Sequence, residues 1–355
     1  MRVRETGLIT FDQEKAFHGF TLFSPLWTKK TFLINMRGEV VHDWDLPGTP
    51  GGYARLLQNG NLVYSANTGH EGGPPFPGGA QGGLMREVDW DGRILSEFFD
   101  PWQHHDFHKL PNGNWIYSGW SMMPDEISAR ITGGIEGTER EEGVYNDYIR
   151  EVSPDGETIW EWNSQDLEIE KYPVFQLYPK HVYAWCNTVF PLPNGNVLTS
   201  LRHLNTIGII DRETKEFVWE MTDVSFGGQH DPQMLENGNI LVFANGVNTH
   251  EMHPHSRILE ISTTNNEVVW EYKDNPKNYF YSHFISGQDR LPNGNTLINE
   301  GTNGRLFEVT VSGTIVWEYI NPSYGTAADG DNVNWVFRAM RYAEDSPQIQ
   351  GRLKL

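Results

Sequence analysis

The sequence predicts an all-β protein built from repeated four-stranded antiparallel sheets, and three observations support this prediction. The phrase Leu-Pro-Asn-Gly-Asn recurs along the chain, with two looser copies, between short apolar runs. A second hairpin phrase alternates with it and ends in an aromatic and acidic pattern such as Trp-Glu-Tyr. The 36 glycines and 20 prolines among the 355 residues supply the tight turns that such a fold requires.

The first phrase predicts five hairpins of one type. Asn-Gly between strand-like residues is the strongest short hairpin indicator, because both residues tolerate a positive φ. We therefore expect a tight turn between two antiparallel strands at each copy. The copies lie at 57–61, 110–114, 192–196, 235–239 and 291–295.

The second phrase predicts six further hairpins, each ending near a Trp or Phe. Two alternating hairpin types make a four-stranded unit, and six such units at intervals of roughly 40–80 residues are typical of a six-bladed β-propeller. We expect the Trp of the Trp-Glu pattern to pack one blade against the next. The copies lie at 35–44, 88–98, 152–162, 211–220, 261–272 and 309–319.

The two ends of the chain supply the remaining strands. Gly19–Phe23 and Asn334–Tyr342 both have strand character. We expect the C-terminal strand to join the first blade and close the ring, which also removes an exposed sheet edge. The whole chain, 1–355, is then a single propeller domain with its blades at 19–345 and short extensions at both ends.

Composition and missing motifs exclude several functions. A formal charge of −20 argues against nucleic acid and anionic membrane surfaces as partners. No apolar run reaches the roughly 18 residues of a membrane helix. The sequence contains no phosphate-binding Gly-rich motif, which indicates that no nucleotide cofactor is used, and no Gly-x-Ser-x-Gly elbow. It does not indicate an oligomeric state.

The termini and cysteine content suggest a compartment. Met1–Gly7 lacks the apolar region of a secretory signal. The single cysteine, Cys186, excludes an internal disulfide. On these grounds we expect a cytoplasmic protein.

The repeat spacing predicts which residues surround the central channel. Inner strands of a propeller line that channel, and the long loops at 69–83, 121–146 and 246–256 are expected opposite the tight turns, where function usually lies. Seven residues before each Asn-Gly-Asn stand Gly52, His105, Asn187, His230 and Ser286, followed by Tyr53, Asp106, Thr188, Asp231 and Gly287. Eight residues after it stand Asn67, Trp120, Arg202, Asn245 and Gly301. We therefore expect histidines from different blades to meet at the channel mouth.

Each candidate also has a structural interpretation. His105-Asp106 and His230-Asp231 could satisfy backbone groups where a strand begins. Arg202 and His203 could form a surface pair. The histidines of the loop 248–255 suggest a metal site, but their spacing matches no standard metal motif, so we predict none.

Several phrases resemble the arylsulfotransferase family, the six-bladed propeller enzymes that use no nucleotide sulfate donor. These phrases are Ser200-Leu-Arg-His-Leu-Asn205, Gly228-Gln-His-Asp-Pro232, 237–246 and Ser256-Arg257. The resemblance covers almost the whole chain. It implies transfer of a sulfuryl group from an aryl sulfate to a phenol through a histidine.

The resemblance also implies roles for single residues. His230 resembles the histidine of the family's Gln-His-Asp phrase, and Arg257 its arginine. The family nucleophile falls near the next blade entry, where His283 stands. A further family histidine lies two residues before an Asn-Thr-Val phrase, where this chain has Trp185, so small aryl sulfates should be poor donors.

The residue types suit this chemistry. Sulfuryl transfer needs a nucleophile in line with the leaving phenolate and cationic donors on the sulfate oxygens. We predict His230, His283 and His105 as catalytic. The predicted substrate-binding residues are Arg257, Arg202, His203, Asn187, Tyr53, Trp185 and Trp120. Two alternatives are a metal-assisted hydrolase or lyase using the same histidines, and a propeller that binds a ligand without turnover.

Overall fold

The computed structural model describes residues 5–67, 72–74, 81–249 and 251–353, and nearly all regular elements in these ranges are strands. The strands of the first half are β1 (Gly7–Phe11), β2 (Phe20–Pro25), β3 (Lys30–Ile34), β4 (Val40–Asp45), β5 (Thr49–Leu56), β6 (Leu62–Asn67), β7 (Leu84–Val88), β8 (Ile94–Phe99), β9 (Gln103–Lys109), β10 (Trp115–Met122), β11 (Gly133–Ile135), β12 (Tyr145–Val152), β13 (Thr158–Asn163) and β14 (Val174–Pro179).

The second half continues in the same manner. Its strands are β15 (Cys186–Pro191), β16 (Val197–Leu201), β17 (Thr206–Ile210), β18 (Phe217–Thr222), β19 (His230–Met234), β20 (Ile240–Ala244), β21 (Arg257–Ile261), β22 (Val268–Tyr272), β23 (Gly287–Arg290), β24 (Thr296–Glu300), β25 (Arg305–Val309), β26 (Ile315–Ile320), β27 (Gly325–Thr326), β28 (Asn332–Val333) and β29 (Val336–Tyr342).

The helical elements are all short. They are the α-helix α1 (Asp125–Ser128) and the 3₁₀ turns Ser164–Asp166, Ile169–Lys171, Arg202–Leu204, Val224–Phe226, Lys277–Tyr279 and Gly301–Asn303. Within the described ranges, no helix has the length and apolar character needed to cross a membrane.

The chain divides into two compact units, each containing three of the large sheets. The first unit comprises Met1–His70, Gly82–Phe99 and Tyr272–Leu355. Its sheets have the strand orders β29-β2-β3-β4, β5-β6-β7-β8 and β1-β26-β25-β24-β23, with β27 and β28 as a small separate pair.

The second unit comprises Glu71–Gln81 and Asp100–Glu271. Its large sheets have the orders β13-β12-β10-β9, β15-β16-β17-β18 and β19-β20-β21-β22. A further two-stranded sheet pairs β11 with β14 in parallel. The repeated four-stranded antiparallel sheets confirm the predicted fold class, a six-bladed β-propeller.

The closing strand lies where the sequence predicts. β29 pairs with β2 from Phe20↔Tyr342 to Pro25↔Val336, so the first blade contains strands from both ends of the chain. The sequence pattern does not predict β1, which pairs with β26 and gives the sixth blade a fifth strand. It also does not predict the pairing of β11, inside the expected loop 121–146, with β14.

The Asn-Gly-Asn turns join the first and second strands of five blades, as predicted. Gly60 has φ 80, whereas Asn59 is absent from the positive-φ residues. Gly60 N donates to Leu57 O and Leu57 N donates to Asn61 O, which describes a type I turn closed by a left-handed Gly. The first Asn acts through its side chain, because Asn59 Oδ1 accepts from Asn61 N at 2.9 Å.

The second Asn of the phrase also has a recurring role. Asn61, Asn114 and Asn295 each donate from Nδ2 to a glutamate on the third strand of their own blade, at 2.6–2.7 Å. These hydrogen bonds fix the turn against the sheet.

The tryptophans of the second phrase pack neighbouring blades together within each unit, as predicted. Trp317 is fully buried and its Nε1 donates to Met36 O at 2.9 Å. Trp160 Nε1 donates to Arg212 O at 2.8 Å, and Trp219 Nε1 donates to Asn266 Oδ1 at 2.9 Å. Each indole therefore satisfies its donor on the next blade, and the rings of Trp317 and Trp160 are buried.

Candidate functional site

The candidate site lies in the second unit, where the inner strands β9, β15 and β19 begin. Each of these strands contains an irregularity in its pairing with the second strand of the blade. The irregularities lie after His104, between Cys186 and Thr188, and after His230. β-Bulges of this kind redirect side chains and occur often beside active sites.

The backbone at these strand starts adopts an uncommon conformation. His105, Trp185 and Asp231 have φ values of 51, 55 and 55. A left-handed conformation is uncommon for residues other than glycine and is unfavourable for a bulky one such as Trp. Such positions cluster at functional sites, and His105 and Asp231 coincide with positions that the repeat spacing predicted to surround the channel, whereas Trp185 lies two residues before one of them.

Asp147 on β12 organises one side of the site. Its buried carboxylate accepts from Trp185 N at 2.7 Å, from Cys186 N at 2.9 Å and from Trp120 Nε1 at 3.0 Å. His104 Nε2 lies 3.3 Å from Asp147 Oδ1. These N–H groups compensate the cost of burying the carboxylate.

His104 joins Asp147 to the predicted residue His105. The Nδ1 atoms of His104 and His105 are 2.8 Å apart, and both side chains are buried. The His104 ring stacks on Trp120 with a centroid distance of 3.9 Å and an interplanar angle of 21°. The repeat spacing predicts His105 and Trp120 but not His104 and Asp147, because it selects particular positions relative to each Asn-Gly-Asn turn.

A row of stacked rings continues from this pair. The ring centroids of Trp185 and Trp120 are 5.5 Å apart. Trp185 stacks on His203 with a centroid distance of 4.8 Å, and His203 stacks on Tyr178 with a centroid distance of 4.7 Å. His105 contacts the Trp185 ring edge-on at 5.9 Å. The structure thus brings together His105, Trp120, Trp185 and His203, all predicted substrate or catalytic residues.

His203 is a neutral member of this row. Its Nδ1 lies 3.0 Å from Val182 O, a distance at which the imidazole N–H donates to the carbonyl. Burial, and secondarily the neighbouring Arg202 guanidinium, hold the pKa of His203 well below its usual value. The ring therefore acts as a flat aromatic surface at neutral pH.

Arg202 has an unusual environment. Its guanidinium carbon lies 4.6 Å from the centre of the Tyr178 ring, a cation–π contact. Among the described residues, the half-buried side chain forms no ion pair and donates no hydrogen bond. Burial lowers the pKa of Arg202 from its usual value, although the group stays cationic at any physiological pH.

Gly228 keeps the space beside Arg202 open. A Cβ on Gly228 would lie 2.4 Å from Tyr178 Oη and 3.3 Å from Arg202 Nε, and its φ is +77. The backbone entering β19 therefore passes directly by the guanidinium, two residues before His230. This places Arg202 beside the family-like Gly-Gln-His-Asp phrase.

His230 starts β19 as predicted and is buried. Its Nδ1 lies 2.8 Å from Asn245 Oδ1, so in the neutral ring Nδ1 carries the proton and Nε2 carries the lone pair. Asn187 Nδ2 donates to Gln229 O at 2.8 Å, which ties β15 to the residue before His230. The prediction that His105 and His230 lie on inner strands is confirmed.

The two aspartates that follow these histidines stabilise the backbone. Asp106 Oδ2 accepts from Val189 N at 2.8 Å, and Asp106 Oδ1 accepts from Phe107 N at 2.9 Å. Asp231 N donates to Thr188 Oγ1 at 3.0 Å. These contacts connect the inner strands β9, β15 and β19 at the level of the site.

Arg257 stands apart from the aromatic row in its contacts. It begins β21, the third strand of its blade, and its Nη2 donates to Ser225 O at 2.8 Å and to Ser225 Oγ at 3.1 Å. Its Nη1 lies 3.5 Å from Glu271 Oε1. Its role in substrate binding stays a prediction.

Tyr53 and His283 belong to the first unit. Tyr53 is buried on β5 and stacks on Phe337 with a ring-centroid distance of 6.1 Å. The guanidinium carbon of Arg338 lies 4.8 Å from the centre of the Tyr53 ring. His283 is exposed and contacts the Phe284 ring at 4.6 Å. The catalytic role of His283 and the binding role of Tyr53 stay predictions.

The histidine loop shows no metal cage in its described part. His250 lies outside the described residues, and His255 Nδ1 contacts His253 O at 3.1 Å. Across the parts of the chain that the structure describes, no three His, Cys, Asp or Glu side chains are grouped to hold a metal ion.

Comparison with solved structures supports the fold. A crystal structure of a protein of unknown function from Bacteroides caccae matches with a TM-score of 0.57 and 15% identity, over 92% of this chain and 99% of that chain. A streptogramin B lyase structure has a TM-score of 0.48 and 13% identity, over 95% and 93% of the two chains. Virginiamycin B lyase from Staphylococcus aureus has a TM-score of 0.47 and 13% identity, over 94% and 99%.

Comparison with sequences identifies the family. No curated protein sequence matches the chain. The family model for arylsulfotransferase (ASST) matches residues 85–322, a range that includes the whole described aromatic row and His230. The match covers more than half of the chain, and the chain therefore belongs to the arylsulfotransferase (ASST) family.

Proposed function

We propose that this protein transfers a sulfuryl group from an aryl sulfate to a phenolic acceptor, with His230 as the group that carries it. The observation that supports this most strongly is the Arg202 guanidinium, which has no anionic partner among the described residues and lies beside the backbone leading to His230. A cation desolvated without a counter-ion is costly, and an anionic ligand offsets that cost.

Sulfate esters fit this cation. A guanidinium can donate two parallel hydrogen bonds to two oxygens of a sulfate, as it does to carboxylate or phosphate. The Tyr178 face below Arg202 limits the directions open to the guanidinium. Arg202 then holds the non-bridging oxygens and stabilises the charge that accumulates on them during transfer.

His230 has the properties of a sulfuryl acceptor. With Nδ1–H donated to Asn245 Oδ1, the lone pair on Nε2 attacks the sulfur, and the bond from sulfur to the aryl oxygen breaks. A phenolate departs, takes up a proton to become the phenol, and leaves a sulfuryl-imidazole. A second phenol then loses its proton as its oxygen attacks the sulfur, the S–N bond breaks, and neutral His230 is regenerated.

The aromatic row supplies a surface for the aryl group. Tyr178, His203, Trp185 and Trp120 present stacked rings next to Arg202, and flat aryl rings bind such surfaces by offset stacking. Trp185 stands where the family resemblance implies a histidine, so it offers ring area in place of a sulfate-binding nitrogen. We propose that the natural donor is larger than a single substituted ring.

Steady-state kinetics test this function. The purified protein is incubated with a panel of aryl sulfates, and phenol release is followed with and without a second phenol. Transfer through a sulfuryl-enzyme predicts that the second phenol accelerates release and that double-reciprocal plots are parallel. His253→Gln, a change at an exposed histidine of the 248–255 loop, serves as the matched control.

Two results would contradict the proposal. If no aryl sulfate is turned over and none raises the melting temperature, the site does not bind this ligand class. If activity requires added metal and disappears on chelation, the protein is instead a metal-assisted enzyme.

A further inference from the structure

Gln229 links the turn that carries Arg202 to the strand that begins with His230. Its side chain is completely buried, and it stands immediately before His230 in the sequence. Gln229 Nε2 lies 3.3 Å from Leu201 O and 3.0 Å from Thr206 O. These two residues flank the short 3₁₀ turn that contains Arg202. One side-chain amide therefore contacts both ends of the turn that presents the guanidinium.

The orientation of this amide follows from elementary hydrogen-bond rules. The two backbone carbonyls only accept, so the Nε2 group of Gln229 must face them. Ser200 Oγ, at 3.1 Å, is a third neighbour of the same group. Gln229 Oε1 is buried and has no hydrogen-bond partner among the described residues. Burying an acceptor without a donor is unfavourable, so the benefit of a glutamine here must lie in the contacts of its Nε2 group.

The backbone of Gln229 is also fixed by hydrogen bonds. Gln229 O accepts from Asn187 Nδ2 at 2.8 Å and from Ser200 Oγ at 3.2 Å. Asn187 lies on β15 and Ser200 on β16, so two strands of the preceding blade hold the peptide that leads into His230. The position of this peptide is therefore tied to the blade that carries the arginine turn.

Asn205 makes a second link between the two segments. Its Oδ1 accepts from Gly228 N at 2.9 Å, and its side chain is buried. Asn205 ends the turn in the left-handed conformation with φ 49, which asparagine tolerates better than most residues. The Arg202 side chain passes the same glycine, since a Cβ on Gly228 would lie 3.3 Å from Arg202 Nε. The turn and the segment entering β19 are thus joined at Asn205 and at Gln229.

We propose that Gln229 and Asn205 are positioning residues that hold the Arg202 guanidinium in a fixed place beside the segment leading to His230. This inference rests on the proposed sulfuryl transfer. Arg202 must meet the sulfate oxygens while the imidazole of His230 approaches the sulfur, and a displacement of about 1 Å between such groups can cost about 10²-fold in rate. Neither positioning residue needs to contact the substrate, because both act through Arg202.

Other contacts hold the turn when these links are lost. Arg202 N donates to Trp185 O at 3.1 Å, and His203 N donates to Ala184 O at 3.0 Å. The turn should therefore shift without unfolding, and the stacked rings should still bind an aryl group. A loss of positioning then lowers kcat more than it changes KM, whereas general unfolding would not make this distinction.

A double-mutant cycle tests the proposal. Its variants are Gln229→Met, which keeps the side-chain length and removes the Nε2 group, Arg202→Lys, and the protein with both changes. In the parent protein, Gln229→Met should lower kcat with an aryl sulfate by about 10- to 100-fold and change KM by less than about threefold. In the Arg202→Lys background, the same change should lower kcat by less than about threefold, because the fork that Gln229 positions is already absent.

Asn205→Gly supplies a second measurement that does not depend on the folding of Gln229→Met. Glycine tolerates the left-handed backbone and removes the acceptor of Gly228 N. We expect kcat to fall by about three- to tenfold, and this loss should also disappear in the Arg202→Lys background. Gln58→Met, the same exchange at an exposed glutamine of the first unit, is the matched control and should keep the kinetics of the parent protein.

Thermal melts first establish that each variant is folded at the assay temperature. An equal fold-loss of kcat in both backgrounds would overturn the proposal, because the two residues would then not act through Arg202. A rise in KM with kcat unchanged would overturn it as well. If the parent protein turns over no aryl sulfate, the proposed function fails and this inference fails with it, whereas equal losses from an active parent overturn the inference alone.

Discussion

The inner strands of the two units differ in what they place at equivalent positions. In the second unit, β9 and β19 carry His105 and His230, and both rings contact other polar side chains. In the first unit, Gly52 of β5 stands at the equivalent position, and the next residue, Tyr53, stacks on Phe337. The equivalent Ser286 has a φ of 90, accepts from Gly301 N at 2.9 Å and donates to Ser282 Oγ at 2.8 Å.

This comparison separates scaffold from chemistry. Bulges or left-handed residues occur in both units, so this irregular backbone conformation is a property of the repeat and not of the candidate site. In the first unit, polar side chains near these strand starts form hydrogen bonds with backbone groups. Asn299 Nδ2, for example, donates to Val336 O and Phe337 O at 2.9 Å. In the second unit a titratable histidine row and an unpaired Arg202 accumulate among the described residues. Function is therefore expected to depend on the second unit's side chains.

The largest expected effect comes from removing the sulfuryl acceptor. His230→Ala should lower phenol release from an aryl sulfate by about 10³-fold or more, because the nucleophile is lost. Ser286→Ala, the equivalent change in the first unit, should leave the rate nearly unchanged. Single-turnover release of phenol from both variants measures this, and equal losses would contradict the contrast between the units.

The next effect separates the two arginines. Arg202→Lys should lower kcat by about 10²-fold, because lysine cannot reproduce the bidentate contact with sulfate oxygens. Arg257→Lys should also lower kcat, but by less, since part of its guanidinium is already bound to Ser225 and Glu271. Steady-state kinetics and thermal melts of both variants distinguish these outcomes. A larger loss of kcat for Arg257→Lys would reverse the assignment.

Trp185 provides a gain-of-function test. Trp185→His should raise the rate with small aryl sulfates by about tenfold, as an added donor to sulfate is typically worth a few kcal/mol and part of that is lost to imperfect geometry. Removing the indole should also lower stability by about 1–3 kcal/mol through a cavity beside His203 and Trp120. Donor panels and denaturant unfolding measure the two effects. An unchanged or lower donor rate would show that this position is not a sulfate contact.

A smaller effect concerns pH. The folded protein keeps His203 neutral with a pKa well below its usual value, while the unfolded chain protonates it near pH 6.5. The unfolded state therefore binds more protons as the pH falls, and stability should drop below about pH 6.5 with a slope approaching 1.4 kcal/mol per pH unit.

The matched variant is His203→Phe, which keeps a flat ring between Tyr178 and Trp185. It should be less stable at pH 8 because the Val182 carbonyl loses its donor, yet its stability should depend less steeply on pH between 6.5 and 5. His181, whose pKa burial also lowers, contributes equally to both proteins. Urea unfolding across pH tests this, and identical slopes would contradict a neutral buried His203.

The sequence predicted the repeat well because local chemistry determines it. Asn-Gly hairpins and Trp-Glu strands repeat with recognisable spacing, and this spacing also located His105 and His230 on inner strands. The sequence did not predict the turn type, since Asn59 acts through a side-chain hydrogen bond that no spacing reveals.

The repeat spacing could not predict the site's remaining residues, because it selects only the positions at fixed distances from each Asn-Gly-Asn turn. Asp147 comes from a third strand, and Tyr178 from the segment before β15 that pairs in parallel with β11. His104 precedes the bulge, and only the bulge brings its ring to His105. Such contacts depend on irregular backbone, which leaves no periodic trace in a sequence.

The most direct test of the central claim is the site of the covalent adduct. The protein is mixed with an aryl sulfate without acceptor, quenched at alkaline pH, digested and mapped by mass spectrometry. We predict the added mass of one SO₃ group on the peptide that contains His230, its absence in His230→Ala, and its loss on addition of a phenol. An adduct on His283, or turnover with no adduct at all, would contradict the account.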